Sequence, residues 1–289
     1  MAVDVATKST PQAFGSSGGK FHLAKKISAM MPEHKTYVEP YAGGAAVYFY
    51  KEPAQKEVLN DMDKEIAFAY RFIRDMTPEQ YKALQKKDWV ISRERFNKVK
   101  AMKPATDVDR FYKFYYLKKG SFRHMTTSVN VGSVGKRIGL DRLPKVQKRL
   151  RGVAINSVDA LKMIDKYDSK DTFFYLDPPY PGTSRIGGNA GDFSQDDLRE
   201  LTDRLKHIKG KFILSMDVKS AKKFPKWMAT MRVVTREHTQ NRMGDYGHRP
   251  RVEVIATNFK LNKPKRRKLK LKRRRNGHRE LTPSLMIAR

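Results

Sequence analysis

The segment from Thr36 to Asp63 constrains the fold more than any other part of the chain. A short apolar run at 36–39 enters the turn Pro40-Tyr41-Ala42-Gly43-Gly44, a helical stretch begins at Ala45, and a second short strand, 57–60, ends at acidic residues. Strand, glycine turn, helix, strand and acid in this order are typical of a parallel α/β unit. The pattern therefore predicts an α/β protein.

The alternation of strands and helices is interrupted once. From about Thr77 to Arg151, helical stretches give way to a loop rich in Gly, Ser and Arg, which indicates an inserted, mostly helical subdomain. After this insertion, further strands are predicted at 153–156, 172–176, 211–216, 232–237 and 252–259. The expected organisation is one domain built from residues 1–76 and 152–260, a subdomain at 77–151, and a tail at 261–289.

The most informative single motif follows the apolar strand 172–176. The chain continues as Asp177-Pro178-Pro179-Tyr180, in which two prolines remove two amide donors and fix the backbone. A carboxylate and a carbonyl can each accept one N–H of an exocyclic amine while a tyrosine ring stacks on the heterocycle. The motif therefore indicates a receptor for a planar, amine-bearing ring. The alternative is an ordinary strand-ending turn with a helix-capping aspartate.

The charge of the chain points to a polyanionic partner. Its 61 Lys and Arg against 30 Asp and Glu give a net charge of +31. Residues 261–289 carry 12 of these cations and one acid, which leaves +20 on residues 1–260. A body with this charge repels itself, and phosphates offset that cost, so nucleic acid is the expected partner. A highly soluble protein without a specific target is the alternative.

Composition excludes several classes of protein. The chain has no cysteine, which excludes a disulfide scaffold, a thiolate nucleophile, an iron–sulfur cluster and a Cys-ligated zinc site. It has no apolar run of the length of about 18 residues that a membrane span needs, and its N-terminus lacks the apolar core of a signal peptide. A soluble intracellular protein with no metal and no membrane partner is expected.

Five short motifs occur in order between residues 16 and 259. They are Gly18-Gly19-Lys20, Glu39-Pro40-Tyr41-Ala42-Gly43-Gly44, Leu59-Asn60-Asp61, Asp177-Pro178-Pro179-Tyr180 and Val252-Glu253-Val254-Ile255-Ala256-Thr257-Asn258-Phe259. With the glycine turn before a large insertion and Asp-Pro-Pro-Tyr after it, the chain resembles the Dam-like (D12 class) adenine-N6 DNA methyltransferases of the α group. The resemblance implies a Rossmann-like S-adenosylmethionine-dependent methyltransferase sheet and an inserted target-recognition subdomain.

The resemblance also implies a site. S-adenosylmethionine would lie across the strand ends, with Asp61 holding the ribose hydroxyls and Lys20 reaching the methionine carboxylate. Asp177 would lie near both the methionine ammonium and the target base. The residues expected to bind the cofactor are Ser16, Lys20, Glu39, Pro40, Tyr41, Gly43, Asp61 and Asp177, and those expected to be catalytic are Asp177, Pro178, Pro179 and Tyr180.

Two positions depart from the family pattern. Ser16 stands where the family has an aromatic residue, so one stacking contact with the cofactor is expected to be absent, with Phe14 as a candidate substitute. Ala45 stands where the family's turn has its third glycine. The extra methyl group is expected to weaken cofactor affinity, and neither departure removes a reacting group.

The DNA contacts are expected in the insertion and the tail. Arg123, Lys136 and Arg137 are candidates for contacts to guanine edges or phosphates. Helical spacing favours a core role for the nearby aromatic residues Phe111, Phe114 and Tyr115. Ten Lys or Arg lie among residues 263–275, a run that is expected to bind phosphates without reading sequence, with a nuclear-localisation signal as the alternative.

The predicted function is transfer of a methyl group from S-adenosylmethionine to N6 of a flipped-out adenine at specific DNA sites, by an orphan, phage or restriction–modification enzyme. Duplex DNA is the expected partner, a monomer the expected state, and the cytoplasm, at the nucleoid or in a phage-infected bacterium, the expected location. Two alternatives stay open. They are a non-catalytic nucleic-acid-binding protein on the same fold, and an amino-methyltransferase acting on cytosine N4 or on RNA.

Overall fold

The computed structural model describes residues 10–16, 18–182, 193–240 and 246–261. Three longer segments lie outside the described residues: the first nine residues, the glycine-rich segment 183–192 and the basic tail from 262 onward. The phosphate-binding role expected of the tail therefore stays a prediction. Within the described ranges the strands are β1 Thr36–Glu39, β2 Lys56–Asn60, β3 Ala154–Asn156, β4 Thr172–Leu176, β5 Lys211–Asp217, β6 Ala229–Gln240 and β7 Tyr246–Thr257.

The predicted helices occur in the predicted order, together with two further helices. They are α1 Phe21–Ser28, α2 Ala46–Tyr50, α3 Lys64–Asp75, α4 Pro78–Gln85, α5 Arg93–Ala101, α6 Asp107–Gly120, α7 Leu143–Leu150, α8 Ala160–Tyr167, α9 Gln195–Lys206 and α10 Val218–Ala221. Short 3-10 turns at Phe122–His124 and Val131–Ser133 follow α6. Helices α7 and α10 are additions to the sequence-based assignment.

All seven strands form a single sheet in the order β3-β2-β1-β4-β5-β7-β6. The first five are parallel to one another, whereas β7 is antiparallel to β5 and to β6. The α/β class and the mostly parallel sheet are therefore confirmed. The last two strands form a hairpin longer than predicted, because its pairing continues to Gln240 and Tyr246 on either side of its loop.

Strand β4 lies in the middle of the sheet, and its burial agrees with that position. All five of its side chains are buried, as expected for a strand covered by helices on both faces. Phe173 and Tyr175 belong to the apolar cluster on one face of the sheet, and Phe174 and Leu176 belong to the cluster on the other. This alternation follows from the two-residue period of a strand.

The insertion, residues 77–151, shares its core with the part of the chain that forms the sheet. Helix α6 packs on α3, where the rings of Phe111 and Phe72 stack with centroids 4.5 Å apart, and Phe114 lies edge-on to Phe14 at 5.0 Å. Tyr115 is also fully buried. The predicted core role of these α6 aromatics is confirmed. At this point the insertion packs directly against the rest of the chain.

Candidate active site

The strand order creates a crevice between β1 and β4. Strands β2 and β3 are added on one side of this pair and β5 on the other, so the connections after β1 and β4 lead away in opposite directions. Open α/β sheets bind ligands at such a switch point, outside the carboxyl ends of the strands. The glycine turn follows β1 and Asp177 follows β4. Two of the sequence motifs therefore meet at one crevice.

Asp177 is held through one of its two carboxylate oxygens. Lys20 Nζ lies 2.6 Å from Asp177 Oδ1, and Ser215 Oγ donates to the same oxygen at 3.0 Å. The Lys20 ammonium, which is almost fully buried, also donates to the carbonyl of Gly18 at 3.0 Å. Among the described residues no hydrogen bond reaches Asp177 Oδ2. That oxygen is thus available as an acceptor for a ligand.

Tyr180 closes the turn that Asp177 opens, and it is fixed at its hydroxyl end. The Tyr180 hydroxyl donates to Glu253 Oε2 at 2.6 Å, and the Lys20 ammonium lies 5.2 Å from the centre of the Tyr180 ring. Pro178 is buried, whereas Pro179 and Tyr180 are partly exposed. The turn therefore presents a partly exposed aromatic ring close to a carboxylate and a cation.

Asp61 connects the end of β2 to the glycine turn. Its Oδ2 accepts from the backbone amide of Gly43 at 2.8 Å, and its Oδ1 accepts from the amide of Asp63 at 2.9 Å. Gly43 has φ of +48°, in the left-handed region where glycine is favoured, and its carbonyl accepts from the Tyr70 hydroxyl at 2.9 Å. The carboxylate is thereby held at the mouth of the turn.

The N-terminal segment lies directly against the glycine turn. Gln12 Nε2 donates to the carbonyl of Gly44 at 2.6 Å. A Cβ on Gly44 would lie 3.0 Å from this nitrogen and 3.1 Å from the carbonyl oxygen of Phe14, so a side chain at position 44 would require the N-terminal segment to shift. A Cβ on Gly43 would lie 3.3 Å from Ser16 Oγ. The segment that precedes Lys20 is therefore packed on the glycine turn, and this packing positions Lys20 in the crevice.

Glu39 and Pro40 are buried at the carboxyl end of β1, and Tyr41, which follows them, is partly exposed. Glu39 is buried, and its Oε1 accepts from the Tyr37 hydroxyl and from the Tyr48 amide, the latter at 2.9 Å. Burial raises the pKa of Glu39 to about 8, against the opposing effect of these two donors. The carbonyl of Pro40 accepts from Asn60 Nδ2 at 2.9 Å. Glu39 therefore anchors the start of α2 in this structure.

The two departures from the family pattern have different structural consequences. Phe14 is fully buried and packs between Tyr70 and Phe114, so its ring belongs to the core and does not replace the missing aromatic at Ser16. Ala45 adopts φ of +48°, a conformation that an L-residue with a Cβ rarely takes. The methyl group of Ala45 is 2% exposed, so its effect is on the backbone of the turn.

The DNA-contact candidates lie on the loop after α6. Lys136 and Arg137 are exposed, and their backbone pairs with the segment around Val90 through an isolated antiparallel bridge. The Ile91 amide donates to the carbonyl of Lys136 at 2.9 Å. Arg123 lies in the 3-10 turn Phe122–His124, and its side chain is outside the described part of the structure. Two of the three candidate cations are therefore exposed on a paired, ordered backbone.

Several residues of the site were not singled out from the sequence. Ser215 and Glu253 support Asp177 and Tyr180 from β5 and β7, and their positions depend on how these strands pair. The ring of His124 lies against Gly15, where a Cβ would be 2.4 Å from its Nε2. One signal could have pointed to Glu253, namely that it is the single acid within the apolar run 252–256.

The chemistry of the crevice fits S-adenosylmethionine. Asp61 supplies a carboxylate for hydroxyl groups, Lys20 a buried cation for a carboxylate, and Asp177 an anion for an ammonium. Met62, beside Asp61, is exposed although apolar, and it provides a surface for a purine ring. The residues present therefore fit the hydroxyl, carboxylate, ammonium and purine groups of that molecule. In the described ranges, no group of three or more His, Asp or Glu is placed to hold a metal.

The fold and this crevice define a methyltransferase of the Rossmann-like α/β class. The model of the family described as D12 class N6 adenine-specific DNA methyltransferase matches residues 16–242. The chain belongs to that family and is a DNA methyltransferase.

Curated relatives are about a quarter identical to this chain over the residues that align with it. The Type II methyltransferase M.MjaIII of Methanocaldococcus jannaschii is 25% identical over 242 residues, which cover 71% of this chain and 80% of the relative. The Type II methyltransferase M.CviBI of Paramecium bursaria Chlorella virus NC1A is 26% identical over 208 residues, covering 68% and 79%. Both matches extend over most of each protein.

A search of solved structures finds an archaeal protein of low similarity. It is a precorrin 8w decarboxylase of Methanobacterium thermoautotrophicum, with a TM-score of 0.33 and 10% identity, covering 82% of this chain and 88% of that one. Separately, no helix in the described ranges has both the length and the apolar character to cross a membrane.

Proposed function

We propose that this enzyme methylates N6 of adenine at specific sites in DNA, with S-adenosylmethionine as the donor. The observation that carries the proposal is the turn after β4, where Asp177 keeps Oδ2 available beside the partly exposed Tyr180 ring. This turn lies at the switch point of the sheet, next to the glycine turn and Asp61. Receptor and cofactor residues thus converge on one crevice.

The cofactor would be held by residues from four segments of the chain. Asp61 would bind the ribose hydroxyls and Lys20 the methionine carboxylate, while Tyr41, Gly43 and neighbouring backbone would line the molecule. S-adenosylmethionine supplies a methyl group that its sulfonium already activates. The protein therefore needs no acid or nucleophilic side chain to activate the donor, and its task is to prepare the acceptor amine.

The acceptor is prepared by hydrogen bonding. The lone pair of an adenine amine is delocalised into the ring, which makes the nitrogen a weak nucleophile. Asp177 Oδ2 and the carbonyl of Pro178 would accept the two amine hydrogens, favouring a pyramidal nitrogen whose lone pair points at the methyl group. Transfer would form the bond from N6 to the methyl group as the sulfonium–methyl bond breaks, leaving S-adenosylhomocysteine, and the proton that N6 loses would pass to Asp177 Oδ2, which accepts it as a hydrogen bond. Orientation and fixed electrostatics account for the rate. Lys20 and Ser215, on the other oxygen, keep the carboxylate in this orientation.

The target base has to leave the duplex before it can reach this turn. Unstacking and unpairing cost a few kcal/mol, and stacking on the Tyr180 ring offsets part of that cost. The exposed Lys136 and Arg137 of the 77–151 insertion support a role for this segment in binding the flanking DNA. We include Arg123 as a third contact on the same loop.

The test is to incubate the protein with S-adenosylmethionine and unmodified duplex DNA, and to identify the modified positions by sequencing and the modified base by mass spectrometry. N6-methyladenine at a defined sequence is expected. Asp177→Asn should reduce turnover severely, and it should also weaken cofactor binding, measured by calorimetry, because it removes the anion that would face the methionine ammonium. Methylation of cytosine, or methylation of RNA alone, would contradict the choice of adenine in DNA. Binding of DNA without any methyl transfer would favour a non-catalytic role.

A further inference from the structure

A buried acid outside the crevice makes direct contact with the catalytic turn. Glu253, on β7, is 2% exposed, and it pairs in register with Asp217, the last residue of β5. Because β7 is antiparallel to β5, the middle of β7 lies level with the carboxyl end of the parallel strands. Glu253 is thereby placed at the same edge of the sheet as Asp177.

Burial of this carboxylate is costly unless hydrogen bonds compensate it. A buried ionised carboxyl group loses hydration worth several kcal/mol, which only well-placed donors offset. The Tyr180 hydroxyl is such a donor, at 2.6 Å from Glu253 Oε2. The acid and the phenol therefore stabilise each other's position across two strands.

The contact holds the side chain of Tyr180, whose rotamer the backbone of the turn does not set. Pro178 and Pro179 set the backbone, but a tyrosine at the end of a turn can still change its side-chain rotamer. The bond from the hydroxyl to Glu253 holds the far end of the ring, while Lys20 lies 5.2 Å from the ring centre. Together these contacts define the orientation of the ring that faces a ligand.

We propose that Glu253 is a positioning residue for methyl transfer: it holds the Tyr180 ring at the angle at which the extruded adenine stacks. The inference rests on the proposed function, since it requires an adenine beside Tyr180. A small displacement of a group that orients the reacting base lowers the rate of the chemical step without weakening ground-state binding equally. Loss of Glu253 is therefore expected to act on kcat.

The experiment compares Glu253→Leu, Glu253→Gln and Tyr180→Phe in the full-length chain. Glu253→Leu should lower kcat about ten-fold, because it removes the hydrogen bond that holds the Tyr180 ring, and leave KM for DNA and Kd for S-adenosylmethionine within about two-fold. Glu253→Gln retains an acceptor oxygen and should restore most of the rate. Glu200→Leu, which removes an exposed acid on α9, is the matched control and should be neutral.

The double variant Tyr180→Phe with Glu253→Leu separates positioning from general stability. If Glu253 acts through the Tyr180 hydroxyl, the second substitution adds no further loss of kcat to the first. Multiplicative losses, or a Glu253→Gln variant as slow as Glu253→Leu, would overturn the inference while the wild-type activity stands. A wild-type protein that transfers no methyl group would overturn the proposed function and this inference with it.

Discussion

At the scale of single residues, the site depends on the hydrogen bonds that hold Asp177 through one of its two carboxylate oxygens. Tyr175 and Ser215 are buried, with their hydroxyl oxygens 3.1 Å apart, and Ser215 Oγ donates in turn to Asp177 Oδ1. Lys20 reaches the same oxygen. Because both donors bind Oδ1, the orientation of the carboxylate is set and Oδ2 is left to accept from a ligand in the crevice.

Ser215→Ala tests that arrangement. The substitution removes the donor to Asp177 Oδ1 while leaving Lys20 in place, and a hydrogen bond of this kind contributes about 1 kcal/mol. We expect kcat to fall roughly five-fold, with the Kd for S-adenosylmethionine unchanged, as measured by single-turnover methylation and calorimetry. Ser220→Ala, at another buried serine, is the control. Equal effects of the two substitutions would contradict a specific role for Ser215.

Glu39 links one residue to the pH dependence of stability. Burial raises its pKa from 4.5 to about 8, so the folded chain holds a proton that the unfolded chain releases. The contribution of protonated Glu39 to stability is complete below the unfolded value and is lost as the pH rises from 4.5 to about 8. Alkaline conditions should therefore weaken the fold at this position.

Glu39→Gln should remove that dependence, because an amide oxygen can accept from Tyr37 and Tyr48 without ionising. The difference in free energy of unfolding between variant and wild type should shift by a few kcal/mol in favour of the variant between about pH 5 and pH 8.5. Denaturant titrations across this range measure it. Glu33→Gln, at an exposed acid, provides the baseline, and parallel curves for the two variants would refute the prediction.

At the scale of secondary-structure elements, α2 begins from an unfavourable conformation. Ala45 precedes the helix with φ of +48° and donates its amide to the carbonyl of Ala42 at 2.6 Å. A left-handed residue with a Cβ costs about 1–2 kcal/mol. The chain retains this cost at the turn that holds Asp61, where the family has a glycine.

Replacing Ala45 by Gly should therefore be neutral or stabilising, by up to about 1 kcal/mol, since relief of the left-handed strain exceeds the loss of one buried methyl group. Ala46→Gly, one position later and inside the helix, should destabilise by about 1–2 kcal/mol. Thermal and denaturant unfolding distinguish the two. Similar destabilisation by both substitutions would show that the left-handed conformation carries no strain.

The elements themselves were predictable where a local signal exists. Strands β1 and β4 coincide with the runs at 36–39 and 172–176, because an apolar run bounded by turn residues defines a strand locally. Helix α7 was not predicted, since its core residues Leu143, Val146 and Leu150 are separated by basic side chains and resemble a loop. The roles of Ser215 and Glu253 depend on strand pairing, which no local pattern reports.

At the scale of the whole molecule, a continuous apolar core supports a surface dominated by positive charge. Residues of α3, α6 and the sheet belong to one cluster, so the 77–151 insertion and the rest of the chain are coupled by packing. The polyanionic partner was predictable from composition alone, because the net charge is +31. The location of the crevice was predictable only through the order of the motifs, because the switch point is a property of the complete sheet.

The basic tail offers the clearest test of how charge is used. Each phosphate neutralised by a cation contributes about 0.9 to the slope of log K against log salt concentration. Replacing the ten Lys and Arg of residues 263–275 by Gln should reduce the magnitude of that slope by about 3 or more, while sequence preference is retained. Fluorescence anisotropy with cognate and unrelated duplexes measures both quantities. An unchanged slope would mean that the +20 of residues 1–260 suffices for DNA binding, and a lost preference would assign the tail a role in recognition.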